Sequence, residues 1–332
     1  MRARHRTPHQ IASKRRFRQP ILGRPCAPWL EFHPMSALAT ILDELATSLV
    51  RPGVPPARSQ ARDLIAWVLN KPRFWPSANP DYELTEAELQ AIQEAASKLK
   101  QGMPLQYAVG KAPFRHLSLR VTPDTLIPRP ETELLVDLVI AAQRGGKGTV
   151  VDVGTGSGAI ALALAAESGF EKVIATDISE KALEVAKSNL KAIPEDKQAK
   201  LDFRAGDLLT PLLPQDWAPN TPENPAPQVE AIVSNPPYIS PAELPDLPPN
   251  VRDWEPHSAL FADDNGMAVI KRLIAQAGDI LQPGGLLAME VDSRRTDLAV
   301  QAVQQDARFT DVEHRLDLTG RPRFVLARRK ER

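Results

Sequence analysis

Thr149-Val150-Val151-Asp152-Val153-Gly154-Thr155-Gly156-Ser157-Gly158 is an apolar run of strand length that ends in three glycines at alternate positions. Glycine lets a chain turn tightly and brings its backbone close to a ligand. The apolar residues resume at Ala159 and predict a helix. Nineteen residues after Gly158, Asp177 closes a second run, Lys172–Asp177, where a carboxylate can accept hydrogen bonds from two ribose hydroxyls. A third run is followed by Ala205-Gly206-Asp207-Leu208, which places Asp207 to meet an adenine amino group. Taken singly, the glycines also suit an ordinary strand-to-helix turn, and Asp177 a helix N-cap. The weight lies in their agreement at successive strand ends, because ligands collect at the carboxyl ends of such strands. The spacing G-x-G-x-G departs from the G-x-G-x-x-G of dinucleotide sites. S-adenosylmethionine, which has ribose and adenine but no pyrophosphate, fits better than a nicotinamide cofactor.

Working outward, strand-like runs recur at Thr149–Val153, Lys172–Asp177, 200–203, Val229–Ser234, 286–291 and 323–327, with a short one near 310–314. Helical patterns fall between them at Ala159–Glu167, 180–192, 267–281 and 296–306. Such alternation predicts a doubly wound, Rossmann-like α/β domain over 131–332. Before it, 104–130 contains the alternating Leu117-Ser118-Leu119-Arg120-Val121 and reads as a β-hairpin linker, with a helix starting near Glu131. Residues 35–103 read as a small helical domain. Leu38, Ile41, Leu42 and Leu45 form one stripe, Leu64, Ile65, Val68 and Leu69 another, and Thr85-Glu86-Ala87-Glu88 is a capping box.

The fourth run leads into Asn235-Pro236-Pro237-Tyr238. Each proline fixes its own φ and pushes the residue before it toward extended geometry, so Asn235 and Pro236 are both stiff. The Asn235 side-chain oxygen and the Pro236 carbonyl can converge on the two N–H bonds of one NH2 group. Tyr238 can lay its ring against the flat face that carries it. This chemistry suits methyl transfer to a planar nitrogen whose lone pair is delocalised. Two acceptors push electron density onto the nitrogen, and positioning and electrostatics supply most of the effect. A rigid loop after a strand is the bland alternative. No metal-ligand cluster and no Ser/His/Asp set is legible; the six histidines are scattered.

The formal net charge of zero hides an asymmetry. Residues 1–34 carry eight Lys/Arg and one acid, Glu31; removing these from 41 of each leaves −7 on the remainder. An acidic body binds polyphosphates poorly, so stable nucleic-acid binding is not expected. Residues 1–34 read as a basic, disordered extension or sequence upstream of a start at Met35, with an organellar transit peptide as the minor alternative and a basic nucleic-acid arm behind both. Pro211–Pro227, with six prolines in 17 residues, reads as a surface excursion, and Pro241–Pro256 as a loop able to cover the site. The single cysteine, Cys26, excludes an internal disulfide framework and fits a cytoplasmic, reducing setting. No apolar run is long enough for a membrane span.

With these residues placed, 36–328 resembles the PrmC/HemK family, the protein-(glutamine-N5) methyltransferases of peptide-chain release factors. The resemblance is carried by Pro104-Leu105-Gln106-Tyr107, by Leu126-Ile127-Pro128-Arg129-Pro130-Glu131-Thr132-Glu133 and by Ile232 to Ile239. Glu255-Pro256-His257-Ser258-Ala259-Leu260-Phe261 and Gly320-Arg321-Pro322-Arg323 extend it. It implies a seven-stranded catalytic sheet and a helical domain that contacts a release factor. It also implies that Gly154, Thr155, Gly156, Ser157, Gly158, Asp177 and Asn235 touch the cofactor, with Leu208 on the cofactor side, and that Asn235, Pro236, Pro237 and Tyr238 hold the substrate glutamine of a Gly-Gly-Gln loop. Glu290-Val291-Asp292 departs from the family's usual Glu-hydrophobic-Gly. Two other readings share parts of the pattern: a DNA or RNA amino-methyltransferase of the adenine N6 type, which would stack a flipped base on Tyr238, and a non-enzymatic scaffold that binds the cofactor.

Overall fold

The computed structural model describes residues 37–50, 57–143, 148–213 and 228–331. The expectations for residues 1–34 and for most of Pro211–Pro227 lie outside them. Among the described residues no helix is long and apolar enough to cross a membrane, and no group of His, Cys, Asp and Glu is placed to hold a metal.

Helices Leu38–Ser48, Ala57–Val68 and Glu86–Lys100 bury Leu38, Ile41, Leu42, Leu45, Leu64 and Ile65 in one cluster. Val68 and Leu69 are only partly buried at its margin. Thr85 opens the third helix as a capping box: Glu88 N donates to Thr85 Oγ1 at 3.3 Å, and Thr85 N to Glu88 Oε2 at 2.9 Å. The linker hairpin pairs β1 (Lys111–Phe114) antiparallel to β2 (Leu117–Arg120), with Leu117 and Leu119 inward and Ser118 and Arg120 outward. Pro130, preset in φ, takes the first position of helix Pro130–Ala142.

The remaining strands are β3 (Thr149–Val153), β4 (Lys172–Asp177), β5 (Leu201–Ala205), β6 (Val229–Ser234), β7 (Leu281–Glu290), β8 (Phe309–Leu316) and β9 (Pro322–Arg329). They form one seven-stranded sheet in the order β5-β4-β3-β6-β7-β9-β8. The pairs from β5 to β7 are parallel; β9 runs antiparallel to β7 and β8. Both faces are buried, because successive side chains alternate between two cores. Val150, Val173, Val233 and Ala288 pack toward helices Pro130–Ala142 and Ala159–Glu167. Val151, Ile174, Ile232 and Met289 pack toward helices Ala268–Ile280 and Thr296–Gln305.

Several boundaries differ from the sequence reading, two of them by more than two residues and for identifiable physical reasons. β7 begins at Leu281 rather than 286, because Pro283-Gly284-Gly285 is absorbed in an irregularity of the β6–β7 register. The helix expected over 180–192 stops at Ser188 and resumes as a 3₁₀ turn, Leu190–Ala192. Between them buried Asn189 spends its side chain on tertiary bonds, donating to Arg120 O and Ser157 O, both at 2.9 Å, and accepting from Arg120 N at 2.7 Å. It ties the hairpin to the glycine loop. The outer strands β5, β8 and β9 are each displaced or extended by one or two residues at their ends relative to the periodicity.

From β3 the chain winds outward to β4 and β5, then returns on the other side of β3 as β6. The reversal between β3 and β6 opens a crevice at their carboxyl ends. The register puts Val153 opposite Ser234, and Ser234 opposite Met289. Gly154, Asn235 and Glu290 are the next residues along three adjacent strands.

Candidate active site

The glycine loop leaves β3 with Gly154 N and Thr155 N both donating to Thr176 O at 2.9 Å. Gly154 and Gly156 have φ of +72° and +55°, and a Cβ at either would meet open space. Open backbone facing a crevice is what a ligand needs for close approach. Gly158 differs. It has φ of +83°, and a Cβ there would press on Leu162 at 3.1 Å and Ala186 at 3.2 Å, so it serves the packing behind the loop. Beneath the loop, Asp152 Oδ2 accepts from Thr155 Oγ1 at 2.6 Å and from Ala161 N at 3.1 Å. Its Oδ1 is buried with no protein partner. Burial pushes this carboxyl up to about 7, against the pull of those two donors.

At the end of β4, Asp177 Oδ2 accepts from Gly156 N at 2.9 Å, and Oδ1 from Ser179 N at 2.8 Å. The N-cap of helix Glu180–Ser188 is Ser179, which accepts from Ala182 N. Asp177 is therefore not the cap; it bridges the loop to the β4 end. Burial raises its carboxyl, and the backbone donors work against that rise. After β5 the chain turns sharply, with Gly206 at φ +153° and Leu208 at +52°. A leucine in the left-handed region is uncommon. Thr176 Oγ1 donates to Leu208 O at 2.9 Å and holds it there. Asp207 pairs with Arg272 at the rim.

These elements enclose a cavity of about 290 Å³. Gly154, Thr155, Gly156, Ser157, Asp177, Asp207, Leu208, Asn235 and Pro237 line it, and Gly158 does not. Asp124, Thr125 and Leu126 of the linker, Thr132, and Ser258 and Phe261 complete the wall. A second, smaller cavity of about 90 Å³ lies beside it, lined by Pro236, Tyr238, Arg129 and Val251 among others. Asn235 lines both. Burial raises the Tyr238 hydroxyl well above the usual phenol, and the nearby Glu290 adds to this. The ring thus presents a neutral face.

The 241–256 segment is tied to this second cavity. Ser240 and Glu243 cap the turn Pro241–Asp246, and Glu243 pairs with buried Arg295. At its far end, Glu255 accepts from Arg129 Nη2 through both oxygens, at 2.6 and 2.7 Å. The chain then returns to bridge Ile239 with Phe261.

Sequence reasoning passed over Thr132 and Glu290 as site residues. Thr132 Oγ1 donates to Glu290 Oε2 at 2.7 Å and accepts from Asn235 Nδ2 at 3.2 Å. The available signal was a carboxylate closing the apolar run Leu286 to Met289, at the same sheet edge as Asn235.

A sheet with this strand order, a glycine loop at its switch point and Asn-Pro-Pro-Tyr on the neighbouring strand define a Rossmann-like methyltransferase. Family models agree. "PrmC N-terminal domain" matches residues 40–110, and "Methyltransferase small domain" matches 130–245. The chain is 36% identical over 293 residues to the release factor glutamine methyltransferase of Koribacter versatilis, covering 88% of this chain and 98% of that one. It is 39% identical over 297 residues to that of Mycolicibacterium smegmatis, covering 89% and 99%. It is 34% identical over 297 residues to the human MTRF1L release factor glutamine methyltransferase, covering 83% of each. The chain belongs to the release factor glutamine methyltransferase family.

Proposed function

We propose that this protein transfers a methyl group from S-adenosylmethionine to the side-chain amide nitrogen of the glutamine in the Gly-Gly-Gln motif of a peptide-chain release factor. The observation that carries this reading is the place of Asn235, which borders both the large cavity and the small one. A nitrogen held at Asn235 is thereby within reach of a group lodged in the large cavity. The relatives' names supply the release factor as substrate. A release-factor substrate, with the lone Cys26, fits a cytoplasmic enzyme.

The residues of the large cavity fit the cofactor. The loop gives it open backbone at Gly154 and Gly156, and Asp177 offers carboxylate oxygens toward ribose hydroxyls. Leu126, Ile178, Leu208 and Phe261 give apolar surface for an adenine, with the Asp207 carboxylate near its amino group. When bound, S-adenosylmethionine supplies a methyl on a sulfonium, a strong leaving group. The chain's part is to grip and orient. Asn235 Oδ1 and Pro236 O accept the two amide hydrogens of the substrate glutamine. Tyr238 covers its flat face. The stiff prolines keep this geometry fixed, so no reorganisation is needed at the moment of transfer. The extra proton on the methylated nitrogen is acidic enough to leave to water, and no strong base is required.

Methyl-labelled S-adenosylmethionine, offered with purified enzyme and release factor, DNA or RNA, tests the reading. Label in the release factor is the expected result. Label in DNA or RNA alone moves the assignment to a nucleic-acid amino group, and cofactor binding without any transfer points to a scaffold.

A further inference from the structure

The Asn235 amide has an accepting end and a donating end, and only the accepting end can grip an N–H. What decides which end faces the substrate? Among the described residues, the one protein hydrogen bond of the Asn235 side chain runs from Nδ2 to Thr132 Oγ1. Thr132 is buried, and its hydroxyl has a single hydrogen, already committed to Glu290 Oε2 at 2.7 Å. With that hydrogen spent, Thr132 can only accept from Asn235. The amide must then turn Nδ2 toward Thr132 and leave Oδ1 on the other side.

We propose that Thr132 and Glu290 are positioning residues that set the polarity of the Asn235 amide, so that its acceptor, not its donor, meets the reacting nitrogen. This deepens the methyl-transfer reading and rests on it. The sheet register is what makes the chain of three possible. Ser234 and Met289 are paired, so Asn235 and Glu290 emerge side by side, while Thr132 reaches over them from the first turn of helix Pro130–Ala142.

The polarity depends on charge. An ionised Glu290 can only accept, which forces the order Asn235 to Thr132 to Glu290. A protonated Glu290 can donate to Thr132, freeing the Thr132 hydroxyl to donate to Asn235 Oδ1, and the amide flips. Its donor end then opposes the N–H bonds it should receive. Glu290 is 1% exposed, and burial pushes its carboxyl up to about 7, against the pull of Thr132, Arg323 and Arg129. Glu131 adds to the rise, and the Tyr238 hydroxyl, itself raised by Glu290 and Asp292, is close by as well.

Four full-length proteins test this: wild type, Thr132→Val, Thr132→Ser and Glu290→Gln, each with its melting temperature. Thr132→Val keeps the shape and removes the relay. It is expected to lower kcat about 10- to 100-fold, the scale of a small misplacement at the reacting centre, with a much smaller change in KM for the release factor. Thr132→Ser should restore most of the rate. Wild-type kcat should rise as pH increases through the Glu290 titration, and Glu290→Gln should lose that acid limb. Independently of turnover, the Asn235 side-chain amide resonance, assigned by its absence in Asn235→Ala, should shift with pH in wild type and not in Thr132→Val. That shift persists even if the protein methylates nothing, so failure of the methyl-transfer reading and failure of the relay are separable. A folded Thr132→Val protein with near-normal kcat, a loss confined to KM, no rescue by serine, or an Asn235 amide resonance indifferent to pH would each overturn the relay.

Discussion

Arg129 links the segment before helix Pro130–Ala142 to the far end of the 241–256 segment, and its removal tests how that segment is held over the small cavity. The Glu255 side chain is 1% exposed, and both its oxygens accept from Arg129 Nη2. Burial raises the Glu255 carboxyl, and Arg129 opposes that rise. In Arg129→Met the aliphatic stem stays and the charge goes. A buried carboxylate left charged and unpaired costs about 3–5 kcal/mol. Glu255 can instead take up a proton, which at pH 7 costs about 2.7 units from the usual carboxyl, or about 3.7 kcal/mol. The cheaper route wins. Water reaching in where the partly exposed guanidinium stood trims the penalty to about 2–3 kcal/mol. At pH 5 protonation costs only about 1 kcal/mol, so the variant's deficit should shrink by half or more. Urea denaturation of both proteins at pH 7 and pH 5 reads this directly. Arg129→Met/Glu255→Gln, which has no buried charge, should recover most of the loss at pH 7. A deficit under about 1 kcal/mol at pH 7, or one equal at the two pH values, would refute the reasoning.

Asp177→Ala should weaken S-adenosylmethionine binding by about 1–3 kcal/mol while NAD shows no appreciable binding; calorimetry with unchanged affinity would remove Asp177 from the cofactor site. Asp152→Asn tests the buried carboxyl under the glycine loop. Its folded form holds a proton up to about 7, whereas the unfolded chain releases it near 4, so the native state binds more protons across that window and stability falls as pH rises through it. The Asn variant escapes this loss, so its stability relative to wild type should climb from pH 4 to pH 7 by at most about 4 kcal/mol; a flat difference would contradict the assignment.

The central strands β3, β4 and β6 were legible to the residue, because strands buried on both faces are dominated by Val, Ile and Ala, with Asp152 in β3 and Glu230 in β6 among the exceptions. Outer strands were less so. Leu201–Ala205 is only partly buried, and Phe309–Leu316 is buried mainly at its first residue, so apolar runs mark their limits weakly. Pro283-Gly284-Gly285 looked like a boundary because a bulge and a turn use the same residues. The stop at Asn189 was hidden, since its partners Arg120 and Ser157 are distant in sequence. The glycine loop, Asp177 and Asn-Pro-Pro-Tyr stood out because each carries its chemistry in local geometry. Glu290 comes beside Asn235 only through the pairing of β6 with β7, and Thr132 meets both only through the packing of helix Pro130–Ala142, neither of which a local pattern encodes.

The central claim is that Asn235 and Pro236 present one glutamine amide to the methyl donor. Mass spectrometry of a release factor, intact and after proteolysis, tests it most directly when run with wild-type enzyme and with Asn235→Ala. Wild type should add a single CH2, about 14 Da, to the Gly-Gly-Gln glutamine, and a short peptide should react far more slowly because remote contacts position the reacting group. Asn235→Ala, still folded, should lower the rate by about 100-fold or more, the scale for losing one preorganised polar contact. A folded Asn235→Ala enzyme that methylates the same glutamine at a near-normal rate, or a wild-type enzyme that leaves the release factor's mass unchanged, would contradict the account.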